Sequence, residues 1–258
     1  MLFNLFFLPV VVAAQAISNQ ISSALMQFVN NVRQAVSPQV IKLYADGKYE
    51  ESKQLTFASA EYIFDLLLLL GVPCIMIMPS LLDLWLVEVP DYAVAFAQLI
   101  VLQDILGNFS AAFYTPMVAA NKIKKNSEAA VFLCLFQFAL LYVLFRFGCG
   151  PLWARYLAIL STVLFSFVVK PYILWKDVNY GLKELYVCIW HCMKIMFTVI
   201  VLCVPISIFI PQDNIFNALL IAMLSAIIVA VVAILFMSAN TRKKLLSYVK
   251  AKFHRNEK

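Results

Sequence analysis

Residues 216–237 read FNALLIAMLSAIIVAVVAILFM. No charge interrupts the run, and a helix needs roughly 20 such residues to cross the hydrocarbon of a bilayer. A membrane-spanning strand would alternate apolar and polar side chains instead. A chain in lipid must satisfy its own backbone hydrogen bonds, so only helices and closed barrels can span it. The unbroken apolar run excludes the barrel. The rest of the chain agrees: of 258 residues, 64% are hydrophobic and only 13% charged, and the mean hydropathy is +0.88. An ordinary soluble domain has about 45–50% apolar and about 25% charged residues. The fold class is therefore all-α, a polytopic transmembrane helix bundle.

Outward from this run the sequence divides into about seven helical segments, at 10–36, 56–78, 92–119, 128–147, 152–174, 185–210 and 215–238. Breakers punctuate the connections: Pro38, Gly47, Pro79, Pro90, Gly148, Gly150, Pro151, Gly181 and Pro211. Basic residues give the direction. Lys42, Lys48 and Lys53 follow the first segment, and Lys122, Lys124 and Lys125 follow the third. Lys170, Lys176 and Lys183 surround the connection from the fifth to the sixth, and the tail at 240–258 carries more. The opposite loops hold Arg146 and Arg155, while Arg33 and Lys194 sit inside segments. Cytoplasmic loops are the basic ones, so the expectation is a cytoplasmic C-terminus and, with seven crossings, an outside N-terminus. The start, MLFNLFFLP, has no basic region of the kind that opens a signal peptide. An outside N-terminus then leads us to expect a further helix upstream, in a missing or separately encoded N-terminal half. The formal charge of +6 suits a basic membrane face better than nucleic acid, and no nucleic-acid partner is expected.

The first segment, VVVAAQAISNQISSALMQFVNNVRQAV at 10–36, is unlike the others. Gln15, Asn19, Ser22, Ser23, Asn30, Arg33, Gln34 and Ser37 recur at steps of three and four. Ile17, Ile21, Ala24, Phe28, Val32 and Ala35 do the same on the other side. Such a helix could lie in the membrane interface, bond to neighbouring helices, or wall a water-filled cavity. Interfacial helices usually carry Lys and Arg on the polar face, whereas here it is mostly amide and hydroxyl. Those groups both donate and accept, which suits sugar hydroxyls.

Further polar groups sit in later segments. Glu61 and Asp65 are one turn apart on the second, and Asp104 and Asn108 on the third. Ionisable residues inside a membrane mark a pathway, a relay or an ion pair. Glu61, Asp65 and Asp104 are candidates for ion coupling. Asp65 and Asp104 are equally open to a structural pair with Arg33, and Glu61 to contact with headgroups. The six cysteines read as small packing residues, and CIWHC at 188–192 lacks a recognised zinc spacing. Lys194, one turn from Trp190, reads as a snorkelling lysine. Trp85 and Trp153 read as interfacial anchors. There is no zinc motif, nucleophile elbow or phosphate loop, so an enzyme is not expected, nor any cofactor or metal.

NLFFLPVVVAAQAISNQISSALMQFVNNVRQAVSPQVIKLYADGKYEE at 4–51 resembles the polysaccharide and O-antigen flippases, a branch of the multidrug, oligosaccharidyl-lipid and polysaccharide exporter superfamily. The likeness continues through Pro73, Pro79, Leu84, Trp85, Leu86, Val89 and Pro90, and through ANKIKK at 120–125. It is carried above all by SPQVIK followed by Tyr44 and Ala45, and by the LWL with its downstream VPDY. The resemblance implies the C-terminal lobe of a two-lobed exporter at 1–180, with an added helix pair and basic tail at 181–258. It implies a bacterial inner (cytoplasmic) membrane location and an undecaprenyl-diphosphate-type lipid-linked oligosaccharide, moved between leaflets by alternating access for surface polysaccharide synthesis. Membrane lipid is the other expected partner. The cavity candidates are then Gln15, Asn19, Ser22, Ser23, Asn30, Arg33, Asp104 and Asn108. Arg33 is the only cation of the first segment. A cation-coupled multidrug antiporter and a membrane-embedded glycan-assembly enzyme are the other readings, the latter with only short outer loops to work from.

Overall fold

The computed structural model describes residues 2–211 and 214–236. The basic tail, the end of the seventh segment, and Gln212 and Asp213 lie outside the described residues. Helices account for nearly everything else. They are α1 (Leu2–Phe6), α2 (Pro9–Ala45), α3 (Tyr49–Met76), α4 (Met78–Trp85), α5 (Ala93–Asn108), α6 (Tyr114–Ala119), α7 (Lys124–Arg146), α8 (Trp153–Leu164), α9 (Lys170–Val178), α10 (Leu182–Phe209) and α11 (Ile215–Phe236). No strand occurs among the described residues. A 3₁₀ turn at Phe109–Ala111 follows α5, and a π-helical turn at Phe165–Val169 joins α8 to α9.

Among the described residues six stretches are long and apolar enough to cross a membrane: Tyr49–Met76, Ala93–Ala119, Lys124–Arg146, Trp153–Val178, Leu182–Phe209 and Ile215–Phe236. They correspond to the second through seventh segments of the sequence. The second starts earlier than its apolar run, because Glu50 and Glu51 favour a helix N-terminus. The polar load of α2 keeps it out of this set, yet it belongs to the bundle, packing along α3, α5 and α6. Its 37 residues make a rod of about 55 Å, well beyond the roughly 30 Å hydrocarbon core.

Two expectations for α2 are corrected. Pro38 does not end the helix, which runs through it to Ala45. Proline removes the bond to the carbonyl four residues back. Pro38 and Gln34 are both exposed, so that carbonyl lies on the uncovered side. The apolar side is also rotated from the expected one. Val11, Ala14, Ser18, Ile21, Leu25 and Val29 form the buried stripe, while Ala24, Phe28 and Ala35 are exposed. The expected face followed the larger apolar residues. The observed one follows the small Ala14 and Ser18, which let α5 come close.

α3 is the spine. α2 and α5 pack on one side of it, and α10 and α11 on the other. Ile63, Phe64, Leu67 and Leu68 are fully enclosed. At Gly71 a Cβ would meet Ile105 Cδ1 at 2.9 Å and Val101 Cγ1 at 3.0 Å, so glycine sets the α3–α5 spacing. Pro79 leaves the Ile75 carbonyl without its helical donor, and Gln98 Nε2 on α5 fills the gap at 3.0 Å. Helix pairs are further tied by Ser52 Oγ donating to the Val40 carbonyl, by the Ser37 and Thr115 hydroxyls 3.0 Å apart, and by Lys125 with Asp177. α7 presents Phe132, Leu135 and Phe136 outward, as a lipid-facing helix would.

Gly71→Leu forces side-chain bulk into the α3–α5 contact, and overpacking of this kind costs about 1–3 kcal/mol. Chemical unfolding of the detergent-solubilised protein should show that loss. Gly71→Ala, which adds only a Cβ against the side-chain ends of Ile105 and Val101, should lose less than half as much.

Candidate functional site

The site is assembled by α2, α5 and α8 around Arg155. Sequence position alone puts this arginine beside Trp153 at the outer edge, and the structure corrects that placement. Trp153 is exposed, but Arg155, on the opposite side of the first turn of α8, points inward and is only 8% exposed. One guanidinium nitrogen, Nη2, donates to Ser18 Oγ and to Asn19 Oδ1, both at 3.0 Å. The group lies 5.8 Å from the centre of the Phe96 ring. Ser18 is fully buried and donates its own proton to the Gln15 carbonyl at 2.7 Å, leaving its lone pairs for the arginine.

Asp104 on α5 completes the group. Ser22 Oγ donates to its Oδ2 at 2.6 Å, and the carboxylate faces Arg155 within electrostatic reach. The two charges attract without touching, and each is held by neutral α2 side chains. Of the two readings open for Asp104 and Asp65, the structural pair with Arg33 does not occur. Arg33 is exposed and donates to Asn30 Oδ1 at 2.9 Å, one turn along its own helix. Arg33 lies 11 residues beyond Ser22, about 16 Å farther along α2.

Beside Asp104 opens a cavity of about 340 Å³ between α5, α7 and α8. Gln103, Asp104, Asn108, Gln137, Ser161 and Lys170 give it a polar wall. Asn108 Nδ2 donates to the Asp104 carbonyl at 3.1 Å. Gln103 Nε2 donates to Thr162 Oγ1 at 3.2 Å, which leaves Gln103 Oε1 buried and unpartnered. Ser161 Oγ donates to Gln137 Oε1 at 2.9 Å.

The floor is made of irregular backbone. The 3₁₀ turn at Phe109–Ala111 meets the π turn at Phe165–Val169. Ser110 and Ser166 hydroxyls stand 3.0 Å apart, and both reach the Gly107 carbonyl. Lys170 Nζ closes the node, donating to Ser110 Oγ at 2.9 Å and to the Ser110 carbonyl at 3.1 Å, 5.2 Å from the Phe165 ring centre. From the sequence Lys170 belonged with the basic connection after the fifth segment. It lies inside the Trp153–Val178 span, as the fifth segment at 152–174 already allowed, with Pro171 tolerated in the first turn of α9. Gly107 permits the close approach: a Cβ there would sit 2.6 Å from Thr162 Cγ2.

Of the candidates, Asn19, Ser22, Asp104 and Asn108 come together here. Gln15 is half-buried above them and takes part through its carbonyl. Ser23, Asn30 and Arg33 lie toward the uncovered side of α2, with Ser23 Oγ donating to the Asn19 carbonyl at 2.8 Å. Glu61 and Asp65 turn the other way, toward α10. Lys194 lies 5.7 Å over Trp190, as its spacing implied. All six cysteines are unpaired, and among the described residues no three His, Cys, Asp or Glu side chains are placed to hold a metal ion. Ser18, Arg155 and Lys170 are the members that sequence reasoning missed. The small-residue spacing of Ala14 and Ser18, each one turn from the next, was a signal for the first of these.

Breaking this group has a measurable cost. Arg155→Leu removes two charge-assisted hydrogen bonds and leaves Asp104 without its facing cation, a loss of about 2–4 kcal/mol in detergent unfolding. Adding Asp104→Asn to that variant should restore part of the loss, since no lone buried charge then remains. No family model matches the chain, and no curated protein or solved structure matches it either.

Proposed function

We propose that this polytopic membrane protein is one lobe of a flippase that moves lipid-linked oligosaccharide across a bacterial cytoplasmic membrane. The single observation that supports this most is Lys170. It is an ammonium inside a membrane span, held by neutral oxygens of Ser110 and facing a polar cavity. Such a group is costly unless it serves a solute or a pathway. A diphosphate linkage meets that need, and the amide and hydroxyl groups of α5, α7 and α8 that line the cavity suit the sugars beyond it.

In this reading the headgroup enters the wet side of the bundle while its lipid tail stays in the bilayer. Arg155 and Asp104 keep α2 and α8 in register and supply paired charges at the rim of the cavity. The 3₁₀ and π turns place backbone irregularity at the cavity floor, the one setting in which non-helical backbone is tolerated at membrane depth. A second lobe supplies the facing wall, and rocking of the two lobes exposes the cavity to each side in turn. The positive loops set the cytoplasmic face, with the C-terminus inside.

The test is binding of a polyprenyl-diphosphate oligosaccharide against the matching neutral polyprenyl glycoside, with the full chain in detergent micelles. The diphosphate should bind at least tenfold more tightly, about 1.4 kcal/mol. Lys170→Met should erase that preference and Lys170→Arg should keep it. Equal binding of the two lipids by the unaltered protein, or an undiminished preference in Lys170→Met, contradicts the proposal.

A further inference from the structure

A second polar seam runs along the opposite side of α3, where it faces α10. Both helices begin at the same end, at Tyr49 and Leu182, and there Lys53 Nζ bridges Glu50 at 2.8 Å and Glu184 at 2.9 Å. From this charged mouth a cleft of about 610 Å³ passes between the helices, reaching Glu61 on α3 and His191 on α10. Glu61 and His191 are within electrostatic reach of each other. Glu61 lies about three turns in from the start of α3.

One turn deeper the seam ends at Asp65. Its Oδ1 is buried and has no hydrogen-bond partner, and the carboxyl faces Cys192. Beyond it the same seam becomes apolar. Leu68, Val72 and Ile75 of α3 and Met196, Ile200 and Val204 of α10 line a separate cavity of about 550 Å³. The cleft that opens at the charged end thus stops at Glu61 and His191, the apolar cavity starts at Leu68, and Asp65 lies between them on α3.

Among the described residues no cation offsets it. On α10 the titratable neighbours are Cys188, His191 and Cys192. α11 has no titratable residue in Ile215–Phe236, and its Ser225 hydroxyl is bonded to carbonyls of its own helix. From α5 the only titratable residue is Asp104, bonded to Ser22 on the far side of the spine. From α2, Arg33 is bonded to Asn30, and Lys42 and Tyr44 lie at the helix end. An ionised carboxylate with an orphaned oxygen in such a place is costly, and a proton relieves that cost.

We propose that Asp65 is a proton-binding site loaded from one membrane face only, through the α3–α10 cleft, with Glu61 and His191 as the relay. A proton from cleft water is taken up by the Glu61 carboxylate or the His191 imidazole. It then passes to an Asp65 oxygen, which gains an O–H bond while the donor returns to its starting form. Release runs the same steps backward. This site is separate from the Lys170 cavity and stands whatever that cavity binds.

Infrared difference spectra of the full chain in lipid nanodiscs, recorded after a downward pH step, test the proposal. A protonated-carboxyl band should appear and be missing in Asp65→Asn. Glu61→Gln and His191→Gln should slow its rise by about tenfold or more while leaving its final amplitude in place. Should Asp65→Asn fail to fold, carbodiimide coupling to the unaltered protein replaces it, with the Asp65 adduct read by mass spectrometry and expected to fall as pH rises. A band that survives Asp65→Asn, a rise untouched by both relay variants, or an Asp65 adduct absent at every pH overturns the proposal.

Discussion

Polar groups inside a bilayer must find their partners within the protein or in enclosed water, and α2 meets that constraint differently on its two sides. Its inner side is bonded into the bundle. Ser18 and Asn19 accept from Arg155, Ser22 donates to Asp104, and Ser37 meets Thr115. Its outer side leaves Gln20, Ser23, Gln27, Asn31 and Gln34 exposed, about a turn apart along much of the rod. Lipid cannot face such a stripe without penalty. The inner bonds fix the rotation of α2, and that rotation decides which amides are turned outward.

The helix interruptions follow from the same constraint. Three places where the regular ladder fails gain a side-chain partner, while the carbonyl freed by Pro38 lies on the uncovered side. Gln98 fills the carbonyl freed by Pro79, Ser110 and Ser166 share that of Gly107, and Lys170 caps the 3₁₀ turn. The repairs concentrate between α5 and the α8–α9 span, beside the cavity. On the α3–α10 side neither helix contains a 3₁₀ or π turn, although each has an internal proline, Pro73 and Pro205. One spine helix thus separates a cavity with a cationic, irregular floor from a cleft that ends in a carboxyl.

The all-α membrane fold and its apolar spans were legible because long unbroken apolar runs allow few alternatives. The polar character of α2 was legible too, and helical spacing set Asn19 near Ser22 and Asp104 near Asn108, each pair on its own helix, but could not set one helix against the other. Rotation was harder to read. Ala24 and Phe28 are as apolar as the residues that pack inward, and only contacts with α5 choose between the faces. Arg155 was hidden by its neighbours: LWAR reads as an interfacial turn, and nothing local says that the arginine points inward while Trp153 points out. Lys170 fell within the 152–174 segment but was counted with the basic connection that follows, so its place beside the cavity went unread. The π turn just before it leaves no mark in the residue pattern.

The central claim is that the outer side of α2 faces water within the membrane. Single cysteines at positions 20, 23 and 27, in a chain with its six native cysteines replaced, can be compared with cysteines at 132, 135 and 136 on α7. The full chain is reconstituted in liposomes and treated with a charged maleimide. The account predicts that the α2 positions react while the α7 positions do not. If the α2 cysteines are as inert as those on α7, the stripe is sealed, and neither a vestibule nor a polar solute path exists on that side.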